Sequence, residues 1–170
     1  MEWDEDVWKD AYALVYRCWL SRIYHLKRER FFDLCDSLTK TLALIAGAAS
    51  IAKIFNPDQL LIFGVLITIT SALSLVVGYA KKARCHADFA KTFIVTEAKI
   101  VEAGVLSREQ VDALHAEVIR LEMNEPRTLG ALVRICQNEI AVARGNKQDI
   151  RPVPFFKRLL AHFYDWELAP

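Results

Sequence analysis

The sequence lacks several well-known catalytic and phosphate-binding motifs. It contains no glycine-rich phosphate loop, no His-Glu-x-x-His and no Gly-x-Ser-x-Gly. Its four histidines are scattered along the chain, and its carboxylates lie on segments that need polar faces. We therefore expect no catalytic residues and a protein whose output is physical rather than chemical.

Metal binding and nucleic-acid binding are also poorly supported. The four cysteines are far apart, no Cys-x-x-Cys occurs, and no histidine spacing suits zinc. The net charge is only +1, so no global excess of basic residues favours direct contact with nucleic acid. The sequence predicts reduced thiols, no metal site and no cofactor.

One stretch lacks charge altogether. Residues 60–80 contain no charged residue, no proline, no asparagine and no glutamine. As a helix this run would extend about 30 Å, the thickness of a bilayer's hydrocarbon core. It is followed directly by Lys81, Lys82 and Arg84. The run predicts a transmembrane helix; the alternative is a buried helix of a soluble bundle, for which shorter apolar runs are usual.

A second apolar block precedes this run. Residues 38–55 would cover about 27 Å as a helix, and Lys40 and Lys53 could extend to the two membrane surfaces. Asn56, Pro57 and Asp58 predict a tight turn between the two blocks. Residues 38–80 are therefore predicted to form a transmembrane helical hairpin.

Basic residues predict the orientation of this hairpin. Lysines and arginines are concentrated before the first span and after the second, whereas Lys53 is the one basic residue near the connection. Since basic residues are retained on the cytoplasmic side, we expect a membrane protein with both termini in the cytoplasm.

Each predicted span carries a stripe of small or polar residues opposite an aliphatic side. In the second span this stripe fits within an arc of about 120°, and in the first it includes small residues four positions apart, as in close helix packing. The residues favour a dry packing seam, and the wall of a water-filled path is the alternative. The candidate residues are Lys40, Ala43, Gly47, Ser50 and Lys53 in the first span and Gly64, Thr68, Ser71, Ser74 and Gly78 in the second.

The remainder of the chain is predicted to be helical, giving an all-α fold. We expect an N-terminal amphipathic helix in residues 1–37, the hairpin in 38–80, a cytosolic helical region in 81–145 and an aromatic, basic tail in 146–170. Helical spacing predicts a soluble core of Phe89, Phe93, Val111, Leu114, Val118, Leu121, Leu132, Cys136 and Ile140. The tail could lie in the membrane interface, or it could dock on the first helix or on a neighbouring subunit.

The order of these parts resembles the SLATT family, a two-transmembrane effector domain of bacterial nucleotide-linked conflict systems. The resemblance spans roughly residues 12–143 and includes a basic, aromatic helix after the hairpin. Its short motifs are His86 and Phe89 in that helix, Glu125-Pro126 after the next helix, and Asn138-Glu139 in the last core helix.

The resemblance implies a pore-forming effector of anti-phage defence that depolarises or permeabilises the bacterial inner membrane and halts growth. It implies three kinds of partner: the lipid bilayer, further copies of the chain, and a nucleotide second messenger or a defence-system protein as the trigger. Because one hairpin encloses no channel, a pore requires a homo-oligomer. The alternative is a non-conducting membrane scaffold or phage-exclusion protein that binds another membrane protein, and a soluble helical bundle is a third class.

Overall fold

The protein is all-α, as predicted. The computed structural model describes residues 5–51 and 56–166, apart from the side chains of residues 49–51, and it contains no strand within these ranges. Its helices are α1 (Glu5–Ile51), α2 (Pro57–Val77), α3 (Tyr79–Ala103), α4 (Arg108–Glu122), α5 (Gly130–Ala143) and α6 (Phe155–Leu159). A single 3₁₀ turn, Lys147–Asp149, precedes α6.

The chain forms two compact units. One, the bundle unit, consists of Met1–Leu26 and Ala87–Pro170; the other, the apolar unit, is Lys27–His86. The predicted limit between residues 37 and 38 lies inside α1, and the predicted limit between residues 80 and 81 lies inside α3. These helices therefore contribute residues to both units.

Helix α1 is longer than the sequence pattern suggested. We expected an amphipathic helix ending before residue 38 and a separate span after it, but α1 runs without a break from Glu5 to Ile51. No proline lies in this range, and its one glycine is Gly47. Nothing in the local sequence therefore interrupts the backbone hydrogen bonds of the helix.

The predicted tight turn at residues 56–58 is wrong for its last two residues. Pro57 and Asp58 belong to the first turn of α2, and Asn56 is the residue that precedes the helix. Proline suits the first helical position because the N–H that it lacks would have no partner there. The backbone N–H of Asn56 donates to Oε1 of Gln59 at 3.0 Å, which stabilises the start of α2.

The predicted soluble core is confirmed in the bundle unit. Phe93, Val111 and Val118 are buried in a cluster with α1 residues such as Cys18, and Leu114, Leu121 and Phe89 pack against it. A second cluster joins α1 and α5 through Tyr24, Leu132 and Cys136. Ile140 is fully buried as well.

Local sequence marks two helix boundaries in the bundle unit. Gly104 follows α3 with a left-handed φ of 66°, and α4 then begins after Ser107. Ser107 N–H donates to Oε1 of Gln110 at 2.8 Å, and Gln110 N–H donates to Oγ of Ser107 at 3.3 Å. This reciprocal pair is a capping box.

The tail docks on the bundle unit by one side only. Ala161 is buried, Trp166 packs against the second cluster, and the Asp165 carboxylate accepts a hydrogen bond from Gly130 N–H at 2.9 Å. A side chain at Gly130 would lie 3.0 Å from the carbonyl oxygen of Trp166, so glycine permits this close approach. The other side exposes large apolar residues: Phe155, Phe156, Leu159, Phe163 and Tyr164.

Candidate functional site

The apolar unit contains a groove lined by residues of α1 and by the end of α2. Asp36, Thr39, Lys40 and Ala43 line one wall, and Ser71, Ser74, Leu75, Gly78 and the first residues of α3 line the other, around a volume of about 340 Å³. Phe32 of α1 also stacks on Tyr79 and His86 of α3, with ring centroids 6.4 and 5.6 Å apart. Residues early in this part of α1 thus meet residues late in the α2–α3 segment, so the two segments run antiparallel.

The groove brings together half of the predicted stripe residues. From α1 it receives Lys40 and Ala43, and from the other wall it receives Ser71, Ser74 and Gly78. The two stripes therefore face one another where the helices pass, as a seam or a pore wall would require. Small side chains at this position allow the helix backbones to approach closely. They also leave the groove between the helices unfilled.

Lys40 is not an isolated charge. Its Nζ lies 2.5 Å from Oδ2 of Asp36, one helical turn earlier, and the Asp36 side chain is only 17% exposed. The Thr39 hydroxyl donates to the Asp36 carbonyl oxygen at 2.8 Å. Lys40 and Asp36 therefore form a compensated pair at this end of the groove.

The two threonine hydroxyls of α2 bond to the helix's own backbone. Thr68 Oγ1 donates to the Gly64 carbonyl oxygen at 2.8 Å, and Thr70 Oγ1 donates to the Leu66 carbonyl oxygen at 2.9 Å. Such bonds satisfy polar groups inside the helix, which is the requirement for a helix surrounded by lipid.

The other predicted stripe residues lie outside the groove. Gly64 and Thr68 line a shallow, open surface groove with their apolar neighbours on α2. Gly47 is exposed, and a side chain added at Gly47 or Gly64 would meet no described heavy atom within 4 Å. Lys53 and the side chain of Ser50 lie outside the described residues.

Gly78 has a role that the stripe did not predict. It ends α2 in the left-handed conformation, with φ 65° and ψ 50°, and its N–H donates to the Ser74 carbonyl oxygen at 2.9 Å. The predicted second span, 60–80, therefore contains a helix end, and α3 starts at Tyr79. Glycine is needed at this position for its backbone freedom rather than only for its small size.

Two glycine substitutions should separate these roles. Gly78→Ala is expected to destabilise the protein by about 1 kcal/mol, because a Cβ strains the left-handed conformation. Gly64→Ala, on the exposed face of the same helix, should cause no loss. Thermal unfolding in detergent, followed by circular dichroism, measures both; equal melting temperatures would contradict the assigned role of Gly78.

The outer surface of α2 is apolar and exposed. None of its 21 residues, all of which the structure describes, is buried. Its exposed aliphatic side chains include Leu61, Ile62, Val65, Leu66, Ile69, Leu73, Leu75 and Val76. In water such a surface would far exceed the apolar patches of ordinary soluble proteins.

The helical run Pro57–Ala103 is the one candidate membrane span among the described residues. It contains an 18-residue stretch that is long and apolar enough to cross a bilayer, and no part of that stretch is buried in the protein. The described part of α1 contains no stretch of this length and hydropathy. The predicted first span, 38–55, extends beyond that part of α1 because residues 52–55 lie outside the described range.

The motif residues of the bundle unit have structural partners. Glu125, in the turn after α4, places Oε1 3.0 Å from Nε2 of His25. Asn138 on α5 holds Arg151 by two bonds, accepting from its N–H at 2.9 Å and donating to its carbonyl oxygen at 2.7 Å. Pro126 lies in the connection before α5, and Glu139 is exposed on α5.

His25 is a buried residue that the sequence reasoning missed. Its ring has no exposed area and stacks on Phe89 and Phe93, with centroids 5.1 and 5.8 Å away. The spacing of the apolar residues along α1 could have identified His25 as a buried position. The buried positions of α1 include Val7, Leu14, Cys18, His25 and Phe32. Steps of seven and four residues keep these positions on one helix face.

The buried thiol of Cys18 lies near acidic side chains. All four cysteines are free, and burial together with the Glu97 and Glu122 carboxylates raises the pKa of the Cys18 thiol to about 11. That thiol is therefore protonated and unreactive near neutral pH. Within residues 5–51 and 56–166, no group of three histidine, cysteine, aspartate or glutamate residues could hold a metal ion.

No family model, no curated protein and no solved structure matches this chain.

Proposed function

We propose that this protein is a membrane effector whose apolar unit crosses the bilayer twice, at about residues 38–55 and 60–80. Several copies assemble so that their grooves form or open a pore. Opening the pore depolarises or permeabilises a bacterial inner membrane and stops growth. The bundle unit and both termini are cytoplasmic in this proposal.

The observation that carries the proposal is the asymmetry of the apolar unit. The whole of α2 is unburied and largely aliphatic, whereas its serines at positions 71 and 74 face Asp36 and Lys40 across the groove. Lipid tails suit the first surface. Charged and hydroxylated groups at membrane depth are costly unless they contact protein or water. The groove side of α2 is therefore suited to a protein interface or to a water-filled path.

The resemblance to the SLATT family supports conduction over passive packing. In that family a two-span domain is proposed to act as a pore that is opened by a conflict system. A non-conducting scaffold or phage-exclusion protein is the second candidate. The pairing of Lys40 with Asp36 favours it, because a compensated ion pair is also suited to a dry interface.

Topology is the first testable consequence. In a background with Cys35→Ser and Cys85→Ser, the remaining native cysteines are fully buried. A cysteine at exposed Asn56 should react with an impermeant maleimide in intact cells. A cysteine at exposed Asn146 should react only after lysis. The reverse pattern would overturn the orientation, and release of the protein by alkaline carbonate would overturn the membrane assignment.

Conduction is tested by expressing matched variants and measuring membrane potential with a dye. High expression favours assembly by mass action, so the wild-type protein should depolarise cells. Ser74→Leu places a large side chain in the groove and should abolish most of this effect. Leu73→Ile, on the exposed aliphatic face of the same helix, is the control and should behave as wild type.

A non-conducting scaffold would leave the membrane potential unchanged. If crosslinking shows an inserted oligomer and the cells keep their membrane potential, the pore proposal fails and the scaffold is favoured. If Ser74→Leu and Leu73→Ile depolarise cells equally, the groove is not the conducting path.

A further inference from the structure

The bundle unit contains a cavity that the proposed pore does not use. It has a volume of about 670 Å³ and lies entirely among residues of α1, α5 and the segment that follows α5. This volume is in the range of small-molecule sites in proteins.

Three stretches of sequence build the walls of the cavity. Tyr12 and Tyr16 lie one turn apart on α1, and Arg134, Gln137, Asn138 and Ala141 recur at helical spacing on α5. Gly145 then adopts a φ of 76° and turns the chain back, so that residues 146–151 close the third side. The two hydrogen bonds between Asn138 and the Arg151 backbone fix that segment against α5.

The charges that line the cavity are mainly positive. Three arginines, Arg134, Arg144 and Arg151, are opposed by one carboxylate, Asp149. Among residues 5–51 and 56–166, no carboxylate forms an ion pair with Arg144 or Arg151. The arginines that form ion pairs elsewhere in the bundle unit, such as Arg17 with Glu122, do not line this cavity.

Arg144 is held in a fixed position. Its Cζ lies 4.8, 5.1 and 4.9 Å from the ring centroids of Tyr12, Tyr16 and Trp19. Its Nη1 donates to the Tyr12 hydroxyl at 2.6 Å. A guanidinium has five N–H donors in a planar fork, so this one bond leaves donors for another acceptor. Holding the group in advance reduces the entropy lost when a ligand binds.

We propose that this cavity binds a phosphate-bearing small molecule. Arg144 and Arg151 would donate charge-assisted hydrogen bonds to phosphate oxygens. One guanidinium can donate to two oxygens of a phosphate at once. The half-exposed Tyr12 ring and the amide of Gln137 would contact the remainder of the ligand. The site goes beyond the proposed pore, because it belongs to the bundle unit and binds ligand whether or not the apolar unit conducts.

Binding is tested on the full chain in detergent by isothermal titration calorimetry. The probes are inorganic phosphate, pyrophosphate, ATP and adenosine, with short-chain phosphatidic acid as a competitor. ATP and pyrophosphate should bind saturably, and adenosine should not. Arg144→Gln and Arg151→Gln should each weaken binding at least tenfold. Arg120→Gln is the matched control, since Arg120 is exposed on α4 and lies outside the cavity lining.

Arg144 also packs on three rings, so circular dichroism must show that its variant is folded. If it is not, Arg151→Gln decides the result, because the Arg151 backbone rather than its side chain makes the bonds to Asn138. Competition by phosphatidic acid would identify the phosphate as that of a lipid headgroup, and lack of competition would identify a free solute. The proposal is overturned by the absence of saturable binding, by equal binding in all three variants, or by adenosine binding as tightly as ATP.

Discussion

Phe93→Ala is expected to lower the free energy of unfolding by about 3–5 kcal/mol, the range for removing a buried aromatic side chain. Phe93 has no exposed area and lies in the first core cluster with Cys18 and Val118. Its ring also stacks on His25 at 5.8 Å. The substitution removes buried apolar contacts and leaves a cavity beside a polar ring.

The matched control for this prediction is Val95→Ala on the same helix. Val95 is 48% exposed, so its truncation should change stability by less than about 0.5 kcal/mol. Urea unfolding of both variants in the same detergent, followed by circular dichroism, gives the comparison. Similar unfolding midpoints for the two variants would show that α3 does not pack in the core as described.

Breaking the Asp36–Lys40 pair from either side is expected to shift ion selectivity in opposite directions. Asp36→Asn leaves the positive charge of Lys40 uncompensated in every subunit, so the proposed pore should prefer anions several-fold more than the wild type. Lys40→Gln leaves the Asp36 carboxylate uncompensated and should favour cations. Rings of like charge at a pore mouth act on selectivity in this way.

The reversal potential under a salt gradient, measured in planar bilayers, reports these shifts. The double variant with Asp36→Asn and Lys40→Gln removes both charges and should stay close to the wild type. This control separates the effect of charge from the effect of disturbing α1. Shifts in the same direction for both single variants would show that the pair does not face the ion path.

Local sequence was sufficient for features that depend on a single helix. The absence of charge from residues 60–80 predicts a long apolar helix wherever that segment lies, and the structure contains one. Ser107 and Gln110 form a capping box because both partners are three residues apart. The core positions Val111 and Val118 follow from helical spacing alone.

Local sequence also misled where two explanations fit the same residue. A glycine on a helix can provide either close packing or a left-handed backbone. The sequence analysis assigned Gly64 and Gly78 to the same packing or pore-lining stripe. The structure separates them, because Gly78 has a φ of 65° and Gly64 lies inside α2. The hairpin connection was likewise assigned to residues that begin α2, since proline occurs both in turns and at the first position of helices.

Composition and periodicity by themselves determined that this protein is all-α and that residues 60–80 supply an apolar helix suited to a membrane, because charge, apolar length and helical spacing are properties of consecutive residues. The second span that they predicted, 38–55, stays a prediction. Only the tertiary structure decided which distant residues meet. The His25–Glu125 contact, the Asn138–Arg151 bonds and the Arg144 ring contacts each join segments that are separated in sequence. Such partners depend on the packing of whole helices, and no short-range pattern specifies that packing in advance.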